Sequence, residues 1–164
     1  MNVRTIKSIK FQSIFFGALL GLSSFSNPDK ICDLAKQNPV AGSRSIVFIE
    51  NDYVSALKKA KAEGKYLFVD AYASWCGPCK QLKQTTFNDS LTADFFNRSF
   101  LNLSVDMEKG QGPGLSSKWG VEEYPTLLII DMNGKILHRS VGYLNAGQLT
   151  AFGKKGLQKS KTEH

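Results

Sequence analysis

Three cysteines in 164 residues are too few to staple a miniprotein together, and an odd number leaves at least one thiol outside any intramolecular pair. Histidine is scarcer still: only His138 and His164 occur, and neither lies at ligand spacing from Cys76 and Cys79. A structural zinc site needs four ligands, and the chain has no second Cys-x-x-Cys to complete one. No repeat of solenoid length recurs. A charged fraction of 21% with plentiful Phe, Leu and Ile excludes a disordered chain. The length suits one domain of about 100–150 residues with a short appendage rather than two domains.

The net charge of +7 raises the question of a nucleic-acid partner. Part of it sits at the start of the chain, where Arg4, Lys7 and Lys10 precede an apolar run from Phe11 to Phe25. Ser24 and Ser26 follow as a small-x-small exit. A basic stretch, an apolar stretch and small residues form the pattern of a secretory leader, so residues 1–26 are expected to be a signal peptide. The apolar run falls short of the roughly 20 residues that span a bilayer, which disfavours the alternative of a retained anchor. Without the leader, 21 basic residues less three leave 18 against 14 acidic, a net +4. Lys154, Lys155, Lys159 and Lys161 then read as a solvated helix face, and no nucleic-acid partner is expected. Cys32 follows Pro28-Asp29-Lys30-Ile31, a poor context for lipidation. In an exported chain, disulfide chemistry becomes an available task.

Residues 27–44 read as an N-terminal extension with a short helix around 29–37, and 45–164 as the domain. Ser45–Glu50 predicts a short strand. Asn51 or Asp52 caps a helix with apolar positions Tyr53, Val54, Leu57 and Ala60, stopped by Gly64. The run KYLFVDAYA (65–73) predicts a strand buried on both faces. A helix follows Cys76 as far as about Thr86. Asp89 or Ser90 caps another that carries Leu91, Phe95 and Phe96. Strands are expected at 100–106 and 126–131, with helical turns at 115–119. Asn133-Gly134 predicts a hairpin into 135–140. Asn145 caps a last helix to about Gln158, whose end Gly153 and Gly156 should weaken. Parallel crossovers followed by a hairpin imply an α/β fold: a mixed central β-sheet with helices on both faces. Gly110, Gly112 and Gly114 lack the G-K-[ST] of a phosphate loop and read as a plain turn.

The chemistry concentrates at Trp75-Cys76-Gly77-Pro78-Cys79-Lys80, at a strand-to-helix junction. This spacing lets two sulfurs meet across one helical turn. Cys76 at the helix start faces unpaired N–H groups that favour a thiolate, so it is expected to be the exposed, attacking sulfur. Cys79, one turn in, would resolve the mixed disulfide. Pro78 suits a first turn because it needs no N–H partner there. A purely structural disulfide is the competing reading, but so small a loop constrains the unfolded chain little.

The six-residue segment resembles the active-site motif of the thioredoxin family. Asp70, six residues before Cys76, resembles the family's buried acid. Tyr124-Pro125-Thr126 resembles its cis-proline turn, and Val141-Gly142 its substrate-facing glycine. The likeness runs over about residues 46–158. Finer features, the helix at 51–63 before Gly64-Lys65 and the segment Thr86-Phe87-Asn88-Asp89, resemble exported thioredoxin-like domains such as the electron-delivering C-terminal domain of the disulfide-interchange protein DsbD.

This resemblance implies a thioredoxin-like fold and thiol–disulfide oxidoreductase activity, with no cofactor beyond the Cys76–Cys79 pair. Asp70 would handle the proton of Cys79. Trp75, Gly77, Pro78, Tyr124, Pro125 and Gly142 would face substrate. Implied partners are disulfide-containing proteins and a membrane electron donor of the disulfide-interchange type, with the domain a monomer in the bacterial periplasm. An oxidase or isomerase, or a binding module without turnover, is the alternative. One departure stands out: the lysine that many thioredoxins place beside the acid aligns here with Asn102. Cys32 has no counterpart in the small thioredoxins and reads as a free, inert thiol.

Overall fold

The computed structural model describes residues 44–162, with side chains to 159. The leader expected over 1–26, all but the last residue of the extension expected over 27–44, and Cys32 with it lie outside the described residues. The elements run β1 (Ile49–Glu50), α1 (Tyr53–Glu63), β2 (Tyr66–Tyr72), α2 (Gly77–Gln84), a 3-10 turn (Thr86–Asn88), α3 (Ser90–Ser99), β3 (Phe100–Asp106), α4 (Gly112–Trp119), β4 (Thr126–Ile130), β5 (Ile136–Val141) and α5 (Ala146–Thr162).

The strands form one mixed sheet in the order β1-β3-β2-β4-β5. β3 runs parallel to β1 and β2, while β4 is antiparallel to both β2 and β5. Central β2 alternates Leu67, Val69 and Ala71 onto a face packed by α1 and α4. Phe68 turns to the other face, where α2, α3 and α5 contribute Leu82, Phe96, Leu149 and Phe152. Burial on both faces is why this strand reads as an unbroken apolar run.

Local chemistry explains where expectation and structure part. The strand expected over Ser45–Glu50 contracts to Ile49–Glu50 because side-chain amides take the place of a ladder. Asn97 Oδ1 accepts from Val47 N and its Nδ2 donates to Ser45 O, while Asn102 Nδ2 donates to Val47 O. Of the two candidate caps, Asp52 caps α1 by accepting from Ser55 N. Asn51 instead accepts from Asp106 N. Asp89 caps α3 through Thr92 N. Asn145 and Gln148 close a reciprocal box at the start of α5.

Val54 and Leu91, expected on buried helix faces, are exposed. α1 turns the expected Tyr53 and Ala60 inward and adds Ala56, the two alanines being small enough for close approach to the sheet.

The glycines expected to weaken the end of α5 do not; the helix continues to Thr162. They are there for proximity. A Cβ on Gly156 would lie 2.7 Å from Ile129 Cγ1, and one on Gly153 2.8 Å from Phe95 Cε1. Gly156→Ala is therefore expected to destabilise the domain by about 1–2 kcal/mol, overpacking against Ile129 outweighing the better helix propensity of alanine. Gly147→Ala on the same helix, where the nearest atom is 3.6 Å away, should be neutral or slightly stabilising. Urea unfolding of the two variants checks the contrast.

Candidate active site

β2 ends at Tyr72, buried Ala73 and exposed Ser74 and Trp75 follow, and α2 begins at Gly77. Cys76 is its N-cap: Sγ accepts from Cys79 N at 3.1 Å, and Pro78 occupies the first turn without an N–H to satisfy. Cys76 and Cys79 are joined as a disulfide, with Cα atoms 5.3 Å apart. Cys76 was expected to be the exposed sulfur, but it is 3% exposed against 2% for Cys79. In the oxidised form the two pack with Ala73 against Tyr72 and Tyr124, and accessibility does not tell them apart. What separates them is position on the helix, since Cys76 Sγ receives the N–H of the first turn.

Tyr124 brings the β4 loop to the cystine. The Tyr124–Pro125 bond is cis, Pro125 is buried, and its carbonyl accepts from Gly142 N at 2.8 Å. Gly142 has φ +90°, a conformation that disfavours any side chain there, so the backbone of this rim stays bare. Trp75 is 65% exposed. Its indole N–H donates to Glu108 at 2.9 Å and its ring meets Tyr124 edge to face at 5.9 Å. Gly77 and Pro78 lie exposed in the first turn of α2. The result is a bare backbone rim, an aromatic wall and a disulfide within one patch.

Asp70 is 1% exposed, and it faces the α2 side of β2. Ser104, its partner across β3, donates a hydroxyl hydrogen bond to Oδ2 at 3.0 Å, while Oδ1 has no partner. Lys83 Nζ lies 3.9 Å from Oδ2 and 3.4 Å from the centre of the Tyr72 ring. Burial pushes the Asp70 carboxyl up to about 6; Lys83 and the Ser104 hydrogen bond oppose that rise, and Glu50 adds to it.

A family model described as a thioredoxin-like domain matches residues 53–157. The chain belongs to that family. It is 35% identical over 95 residues to the thiol:disulfide interchange protein DsbD of Tatumella citrea, covering 56% of this chain and 16% of that protein. To DsbD of Colwellia psychrerythraea it is 27% identical over 147 residues, covering 86% of this chain and 23% of that protein. It thus spans about a fifth of the length of these relatives. Among solved structures it is similar to a proposed disulphide-isomerase of Bacteroides thetaiotaomicron, at 49% identity and TM-score 0.63 over 70% of this chain and 94% of that one. The oxidised C-terminal domain of Neisseria meningitidis DsbD shares the fold, at 18% identity and TM-score 0.56 over 66% of this chain and 98% of that one.

Within this thioredoxin-like domain, the position expected to replace the family lysine has a different task. Asn102 pairs in register with Phe68, two residues short of Asp70, and its amide donates to Val47 O and Asn97 Oδ1. The charge beside the acid comes from Lys83 on α2. Lys83, Ser104, Tyr72 and Glu108 were not singled out from the sequence. Ser104 could have been, since residues of parallel strands aligned by their apolar runs meet in pairs. A lysine on a helix carries no such signal.

Proposed function

We propose that this domain is an exported thiol–disulfide oxidoreductase that reduces protein disulfides through the Cys76–Cys79 dithiol. The observation that carries the reading is the cystine at the N-terminus of α2, packed against the Tyr124 side of the cis Tyr124–Pro125 turn. Membership of the thioredoxin-like family and similarity to DsbD support it.

In the reduced domain the Cys76 thiolate attacks one sulfur of a substrate disulfide. A Cys76–substrate bond forms, and the other substrate sulfur leaves with the electron pair. Asp70 takes the proton of Cys79, and Cys79 Sγ attacks Cys76 Sγ. The bond from Cys76 to substrate breaks, the second substrate thiolate leaves, and the cystine of the structure is restored. Two electrons have passed from the domain to the substrate. A dithiol on a membrane protein of the disulfide-interchange type would resupply them. The Tyr124 backbone before cis Pro125 would pair with an extended segment of substrate, with Trp75, Gly77, Pro78 and Gly142 around it.

The leader pattern supports export, with the bacterial periplasm as the destination. Among the described residues, no helix is long and apolar enough to cross a membrane.

A second reading, oxidation or isomerisation rather than reduction, has the likeness to the proposed disulphide-isomerase of Bacteroides thetaiotaomicron on the side of isomerisation. Redox equilibrium separates the two directions. A reductant should titrate near the thioredoxin value of about −270 mV, and a value near −120 mV would sink the reductant reading. A Cys79→Ser variant should halt after the first step and accumulate mixed disulfides in extracts, resolved by gels run with and without reducing agent. If no adducts form, the attacking role of Cys76 fails with them.

A further inference from the structure

We propose that Lys83 is a positioning residue for the resolving step: from one helical turn beyond Cys79, its ammonium holds Asp70 in the ionised form that accepts the Cys79 proton. The inference rests on the reading of Asp70 as proton acceptor.

Two contacts define its place. Lys83 Nζ lies 3.9 Å from Asp70 Oδ2 and 3.4 Å from the centre of the Tyr72 ring, and its side chain is 36% exposed. Asp70 and Tyr72 alternate on β2, so both present to α2, and the lysine bridges them. Without the ring, a half-exposed lysine would prefer water to a buried carboxyl. The negative face of Tyr72 offers the ammonium a second attraction and so fixes it over the acid. Tyr72 also packs against the cystine, which ties the cation, the acid and the sulfurs into one contact chain.

The other groups around Asp70 cannot replace this charge. On β3, Ser104 gives a neutral hydrogen bond. On β1, Glu50 is an anion and works against ionisation. Leu127, its partner on β4, is apolar. Lys109 is occupied with Asp106, at 2.9 Å. Removing Lys83 therefore leaves the carboxyl with burial and Glu50 on one side and a single hydroxyl on the other, and it should hold its proton to higher pH.

The test is a carbon-13 NMR titration of the Asp70 carboxyl in the oxidised protein, for wild type, Lys83→Met and Lys83→Arg, with insulin reduction followed against pH in the same three. Lys83→Met keeps an unbranched apolar stem against Tyr72 in a half-exposed position, so the fold should persist. In wild type the midpoint should lie near 6. In Lys83→Met it should rise by about one pH unit, and in Lys83→Arg it should return most of the way. The acid limb of the rate profile should move with it. A Lys83→Met midpoint equal to wild type overturns this inference alone. A wild-type midpoint near the ordinary carboxylate value, or wild-type protein without reductase activity, overturns the reading beneath it.

Discussion

With Cys76 replaced by serine, the reduction of insulin disulfides is expected to fall to the rate given by dithiothreitol alone. Serine is a good N-cap, and its hydroxyl can accept from Cys79 N as Sγ does at 3.1 Å, so α2 should start where it does now. The lost disulfide closes only a small loop, so its removal costs little unfolded-state entropy. The fold should therefore survive, and circular dichroism with urea unfolding against the reduced wild type would verify that it does. The reaction should not. A hydroxyl at a helix N-terminus stays protonated at neutral pH and forms no sulfur–sulfur bond, so no mixed disulfide is available for Cys79 to resolve. Residual activity above a tenth of wild type, in a folded variant, would contradict the assignment of Cys76 as the attacking group. The burial of Cys76 does not argue against it. That burial belongs to the disulfide-bonded form, whereas attack begins from the reduced pair.

How much of this could be read in advance depended on how local the cause was. β2, β3 and β4 were legible because strands buried on both faces leave unbroken apolar runs. Asp52, Asp89 and Asn145 were legible as caps because a cap bonds within three residues of itself. What failed needed partners distant in sequence. The shortened β1 depends on Asn97 and Asn102, some fifty residues on. Gly153 and Gly156 read as breakers until Phe95 and Ile129 are set against them. Val54 and Leu91 read as apolar helix positions yet are exposed, while Ala56, which the apolar pattern passed over, packs in α1 beside the expected Tyr53 and Ala60. In the site, the cysteines and Asp70 carried a motif. Lys83 did not, since nothing about a lysine four residues past Cys79 separates it from a solvated one until Tyr72 and Asp70 are placed beneath it.

Between pH 4 and pH 8, the stability of wild type relative to Asp70→Asn is expected to decline by about 2 kcal/mol. The Asp70 carboxyl titrates near 6 in the folded domain and near 3.8 when exposed. Below 3.8 both states hold the proton, and the group contributes nothing to the pH dependence. From there to about 6 the folded state keeps a proton that the unfolded state has released, so each rise in pH favours unfolding. Above 6 both are ionised, and the domain carries the full cost of a buried carboxylate. Any fixed penalty for burying an asparagine amide is the same at both pH values and drops out of the comparison. So do the acids held below the ordinary carboxylate range, Asp52 and Asp89 at helix caps and Asp106 beside Lys109, because both proteins share them. Urea unfolding of the two oxidised proteins across this range measures the swing, and a constant difference would show that Asp70 titrates as an ordinary carboxyl. The cost has a chemical return. An acid with its midpoint just below neutrality is ionised enough to receive the Cys79 proton and basic enough to be an effective acceptor. Asp70→Asn should therefore compare more favourably with wild type at neutral pH than at pH 4, while slowing the resolving step by about 10²-fold, which stopped-flow reduction of a model disulfide would detect.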